Sequence, residues 1–133
     1  MRSVFFLLAS LIFSTVTFAQ DTSLAAAQKF LPGVWKGTSI CQQKNSPCHD
    51  ETVVYYITQP SDGKLDIDAF KVVNGKEDDM GILHGYYDVK KRALIAHFRQ
   101  EDTWEFKWKG DDLDGTLILN NTLYRIIKLH KQK

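Results

Sequence analysis

What most restricts this chain is a series of short strand-like segments joined by links too short for a parallel crossover. Eight segments read as strands, at 34–41, 51–58, 64–73, 80–88, 93–99, 103–109, 113–119 and 122–130. The breaks carry turn chemistry: Pro60-Ser61-Asp62-Gly63, Asn74-Gly75, Lys90-Lys91, Gln100-Glu101-Asp102, Gly110-Asp111 and Asn120-Asn121. A parallel return needs about a dozen residues or more, so neighbours in sequence should pair antiparallel as a meander. Eight strands of this length suffice to close a barrel and remove its exposed edges. The expected class is all-β, an eight-stranded antiparallel up-and-down barrel with a short N-terminal helix; an open sandwich is the alternative.

The helix is read from Ser23, a capping residue, followed by the helix formers Leu24 to Leu31 and stopped by Pro32-Gly33. It should set Phe30 or Leu31 against one end of the sheet. Upstream, residues 1–19 have the form of a secretory signal peptide, with Arg2 as the positive region, an apolar stretch from Val4 to Phe13 and small residues near Ala19. Gln20 is then the expected first residue of the mature chain, and 20–133 a single domain of about 114 residues. The expected location is secreted or periplasmic. Cys41 and Cys48, the two cysteines of the chain, would form a disulfide there, stabilising the fold by roughly 2 to 3 kcal/mol.

Charge narrows the partners. Without Arg2, the 17 basic residues fall to 16, against 16 acidic ones, and a balanced chain lacks the clustered positive charge that phosphate backbones select. No later segment approaches the roughly 20 apolar residues of a membrane-spanning helix. Nucleic acid and membrane spanning are therefore set aside, and a soluble monomer is expected. No nucleophile elbow, zinc-protease helix or phosphate-binding glycine loop occurs, so the protein is read as non-enzymatic and without a cofactor. The acidic runs Glu77-Asp78-Asp79 and Asp111 to Gly115 read as solvated loop charge rather than calcium ligands, since the full helix-loop-helix calcium pattern is missing.

Gly33-Val34-Trp35, directly after the helix, together with Arg125 in the last strand, resembles the two ends of a calycin barrel, the plan shared by lipocalins and fatty-acid-binding proteins. The resemblance implies that Trp35 plugs one end of the barrel and that Arg125 packs over its ring. It also offers Arg125 as a carboxylate anchor. In the fatty-acid-binding proteins an Arg and a Tyr two positions apart point inward together; here Tyr124 is adjacent to Arg125, so the two face opposite ways.

Register arithmetic suggests an interior. With a turn at Lys90-Lys91, His84 falls opposite His97. If the next hairpin closes around Gln100-Glu101, His97 meets Trp104 and Ile95 meets Phe106; a turn at Gly110-Asp111 then adds Leu113, Gly115, Leu117 and Leu119. One face would hold Ile82, His84, Tyr86, Ile95, His97, Trp104, Phe106 and Trp108, an apolar pocket with polar fixtures. The other face of the fourth and fifth strands, with Leu83, Tyr87, Leu94 and Phe98, is equally apolar. One bulge or odd loop inverts everything after it, and a two-residue turn at Asn120-Asn121 sends Arg125 outward unless a bulge intervenes. His84 and His97 supply too few ligands for a zinc site, so no metal is expected.

The functional expectation is a binding protein for a small apolar or amphipathic ligand inside the barrel. Its ligand-binding residues would be His84, Tyr86, His97, Trp104, Phe106, Trp108 and Arg125. The alternative is an inhibitor or interaction module acting through rim loops, above all the loop between Cys41 and Cys48.

Overall fold

Alternation of apolar and polar residues makes most strands of this protein two-faced, and the sheet hides one face by closing on itself. The computed structural model describes residues 21–133; the segment read as a signal peptide, and Gln20, lie outside the described residues. The chain runs α1 (Leu24–Phe30), β1 (Gly33–Cys41), β2 (Glu51–Thr58), β3 (Asp66–Val73), β4 (Lys76–Asp88), β5 (Ala93–His97), β6 (Asp102–Lys109), β7 (Asp112–Leu119) and β8 (Thr122–Lys131). Every strand pairs antiparallel with its sequence neighbour, and β8 returns to β1 to close the barrel.

The meander places the β1–β2, β3–β4, β5–β6 and β7–β8 connections at one end and the other three at the opposite end, where α1 packs. Ser23 caps α1 by accepting from the Ala26 amide, so the helix starts where its capping residue stands. Leu31, wholly buried, and the half-buried Phe30 then close this end over Trp35. The inward positions of the strands, among them Trp35, Tyr55, Ile67, Leu94, Phe106, Leu113 and Ile127, form one core. Gly115 leaves the space that the Phe106 ring occupies.

Two acidic runs read as loop charge lie partly or wholly on strands. Glu77-Asp78-Asp79, read as loop charge, belongs to β4, which starts at Lys76 rather than at position 80. The reason is the turn: Asn74 and Gly75 both take positive φ (51° and 76°), the geometry of a two-residue hairpin that keeps its flanks paired, so Val73 meets Lys76 directly. Likewise Asp112 and Asp114 lie on β7, opposite His130 and Lys128. Among the described residues no helix is long and apolar enough to cross a membrane.

Cys41 and Cys48 are joined, their Cα atoms 5.9 Å apart. The bond staples the β1–β2 loop, so the two ends of the barrel are distinguished as a helix end and a stapled end.

Candidate functional site at the stapled end

The register from β4 to β8 decides which side chains face inward. His84 does stand opposite His97, and Tyr86 opposite Ile95. The next step differs from expectation: Ala96 meets Trp104 and Leu94 meets Phe106, an offset of one residue. Asp102 causes it. Its carboxylate accepts from the backbone amides of Phe98 and Arg99, both at 2.9 Å, turning the chain early and leaving an odd number of residues between the paired positions. The interior of β4 and β5 is therefore the other face, with Leu83, Tyr87, Leu94 and Ala96.

His84 and Tyr86 are accordingly outside the barrel, not in it. Tyr86 and Ile82 are exposed on the outer wall, and the exposed His84 ring reaches Asp66 at 3.1 Å. These two line a small outer cleft of about 310 Å³ with Pro60 and Lys64. His97, half-buried, contacts the Asp102 carbonyl through Nδ1. Phe98 is exposed. Trp104 and Phe106 do face inward, while Trp108 sits at the helix end, stacked on Phe30 with ring centroids 4.8 Å apart.

Arg125 is also relocated. Asn120 and Asn121 form a two-residue turn with φ of 49° and 61°, and Leu119 meets Thr122, but the register then shifts so that Leu117 faces Arg125. Tyr124 is the extra residue of this bulge, and the bulge turns Arg125 inward. It does not reach Trp35. Arg125 is opposite Cys41 on β1 whereas Trp35 is opposite Lys131, so six residues, or about 20 Å of strand, separate them. The cation over the Trp35 ring is Lys131, 5.5 Å from its centroid and 4.0 Å from that of Phe30; its ammonium also donates to the Phe30 carbonyl. Burial lowers the Lys131 pKa below the usual lysine value.

At the stapled end Arg125 Nη1 donates to the Ser39 carbonyl and hydroxyl (3.3 Å each) and to the His49 carbonyl (3.1 Å). It also pairs with Glu51 at 3.4 Å, the two side chains being only 11% and 14% exposed. A second pair, Lys71 and Asp78 at 3.5 Å, stands on β3 and β4. Deeper in lies an aromatic cluster: Tyr55 meets Trp104 edge-on at 6.4 Å and Phe106 at 6.1 Å. The Tyr55 hydroxyl and the Trp104 indole Nε1 are both buried and have no hydrogen-bond partner within the protein. By contrast, Trp35 Nε1 donates to the Leu31 carbonyl and Trp108 Nε1 to the Gly110 carbonyl, each at 2.8 Å.

The sequence did not single out Tyr55, Glu51 or Ser39. Trp35 faces Tyr55, and Ser39 faces Glu51, but the β1–β2 loop is too long for its residues to state that register. The signal available was Val53, Tyr55 and Ile57, an apolar set one step out of phase with Thr52 and Thr58.

Compared with protein-family models, curated proteins and solved structures, the chain finds no match. A cleft of about 930 Å³ over the outside of β1, β7 and β8 is a weaker candidate, because four of its charged or titratable side chains pair with one another: Lys128 with Asp114 at 2.9 Å and His130 with Asp112 at 2.8 Å. Among the described residues no three His, Cys, Asp or Glu side chains are grouped to hold a metal ion.

Burial, reinforced by the Glu51 carboxylate and opposed by Arg125, pushes the Tyr55 phenol well above the usual tyrosine pKa. The unfolded chain ionises this phenol near pH 10 while the fold keeps it protonated. The contribution of this phenol to stability is thus fully retained below about pH 10 and is lost as pH rises further, because the unfolded state then binds fewer protons. Tyr87, whose pKa burial also raises, acts in the same sense. Tyr55→Phe is expected to be more stable than the parent at pH 7, since it deletes a buried hydroxyl that has no partner, and more stable by a wider margin at pH 11. Urea denaturation at the two pH values checks this; a Tyr55→Phe variant that loses stability at pH 7 would mean the hydroxyl has a partner.

Proposed function

We propose that this protein is a secreted, non-enzymatic, calycin-like carrier that holds a small apolar or amphipathic ligand inside its barrel, at the stapled end. One observation carries the reading: Tyr55 and Trp104 bury polar atoms that nothing in the protein satisfies. Each such group costs about 1–3 kcal/mol, and an unpaired buried pair beside an aromatic wall is intelligible as part of a binding site. Phe106, Leu117 and Trp104 supply apolar contact, and the half-buried Trp104 lies where a ligand would enter. Of the residues expected from the sequence, Trp104, Phe106 and Arg125 belong to this site; His84 and Tyr86 do not.

Titration with the neutral dye Nile red tests it. The carrier gives saturable, one-to-one binding with blue-shifted emission, retained when the outer wall is made polar by Ile82→Ser and Tyr86→Ser. Absence of saturable binding, or its loss in that outer-wall variant, would overturn the interior site.

A second reading, recognition of a protein through the rim, draws on how firmly the 42–50 loop is fastened. Besides the disulfide, Asp50 accepts from the Cys41 amide at 2.9 Å, and the Gln43 side-chain amide donates to the Leu123 carbonyl at 2.8 Å. A loop so held loses little entropy on binding. Reduction of the disulfide would abolish that activity while leaving interior dye binding in place.

A further inference from the structure

We infer that the ligand is uncharged at its recognised group, which presents a hydrogen-bond acceptor such as a carbonyl or ether oxygen, and that carboxylates are disfavoured. The inference rests on the carrier reading and specifies its ligand class. It follows from which polar groups of the stapled end are occupied. Arg125 already has Glu51, the Ser39 carbonyl and hydroxyl, and the His49 carbonyl around one guanidinium nitrogen. Lys71 has Asp78. Each cation already has a carboxylate partner, and a carboxylate brought to Arg125 would lie beside the Glu51 carboxylate in a poorly solvated place, where like charges repel strongly and dehydration is costly.

What is unoccupied has the opposite character. An indole N–H can only donate, and a phenol held protonated by burial is available as a donor. The two rings touch edge to face. Two neighbouring donors without acceptors suit a neutral oxygen with two lone pairs, or two oxygens on one small molecule. The apolar remainder of such a molecule would rest against Phe106, which is wholly buried between Tyr55 and Trp104. A site built to hydrogen-bond a group discriminates strongly against molecules that leave its buried donors unpaired.

Octanamide and octanoate share a chain and differ in head-group charge, so they separate the possibilities. Titration is followed at pH 7 by the three indole N–H resonances in a ¹H–¹⁵N spectrum, assigned with Trp104→Phe. Octanamide should move the Trp104 resonance saturably and leave that of Trp35, whose N–H is held by Leu31, in place. Octanoate should bind at least about tenfold more weakly, a difference of about 1.4 kcal/mol. Tyr55→Phe should weaken octanamide binding about five- to tenfold and leave octanoate unchanged. If octanoate binds as tightly as octanamide, the preference for a neutral acceptor is wrong and the carrier reading stands. Octanamide affinity unchanged in both Tyr55→Phe and Trp104→Phe would likewise remove the two proposed anchors. If neither probe moves an interior resonance, the carrier reading falls with it.

Discussion

Trp35→Ala should cost about 3–5 kcal/mol of folding stability, the range for emptying a large aromatic site in a core. Trp35 is fully buried, and its indole does three things at once. It fills the helix end of the barrel, donates to the Leu31 carbonyl at 2.8 Å, and meets the Phe30 ring edge-on at 6.1 Å. Alanine removes the volume and leaves the Leu31 carbonyl without that donor. Because Phe30 and Leu31 follow directly from α1, the helix should detach before the barrel unfolds, seen as early hydrogen exchange of the Ala27 and Leu31 amides. Those amides bond to the Ser23 and Ala27 carbonyls in the folded protein. Chemical denaturation gives the magnitude. A cost below about 1 kcal/mol, within the range of surface substitutions or little above it, would show that Trp35 is not the plug.

Gly37→Ala should be comparably damaging for a different reason. Gly37 stands on β1 between Val53 of β2 and Leu129 of β8, where the barrel closes. A Cβ placed there would lie 1.8 Å from the Lys128 carbonyl oxygen and 3.0 Å from the Leu129 Cα. Both obstacles are backbone, so no side chain can rotate away, and β1 must move off β8. The expected cost is about 3 kcal/mol or more, at or above the upper end of overpacking. Opening this seam also exposes two strand edges, and exposed edges pair with other chains. Size-exclusion chromatography should therefore show association of the Gly37→Ala protein together with a lowered denaturation midpoint. A monomeric variant of unchanged stability would contradict the tight seam.

The sequence conveyed the architecture well because its turns are local. The links around Lys90-Lys91 and Gly110-Asp111 join strands that pair in the expected register, while Asn74-Gly75 and Asn120-Asn121 each open a hairpin whose pairing later shifts at an irregularity. The strand at 103–109 likewise shows its inward aromatics in plain alternation. What the residues did not disclose was parity over distance. One Asp102 carboxylate folding back on Phe98 and Arg99 reversed the face of β4 and β5 relative to β6, which put His84 and Tyr86 outside. One bulge at Tyr124 brought Arg125 in. A third irregularity, between Ala69 and Phe70 of β3 and the Asp79 to Gly81 stretch of β4, sets Met80 against the core.

The cation over Trp35 shows the same limitation differently. A late arginine and a late lysine both fit a cation stacked on an indole, and strand length chose between them: Lys131, not Arg125, lies at the level of Trp35. Arg125 was thereby left for the stapled end, where Glu51 neutralises it. Tyr55, the residue on which the site most depends, was hidden because nine residues separate β1 from β2, and the staple from Cys41 to Cys48 leaves two of them to set the register.

The most direct measurement is native mass spectrometry of the oxidised protein purified from its natural producer, compared with its denatured mass. Extra mass that leaves on denaturation, of a size that fits one small molecule per chain, is the predicted result, and its composition would state the head group that Tyr55 and Trp104 receive. A bare chain that also fails to take up octanamide or Nile red would contradict the account and leave the stapled rim as the surface to investigate.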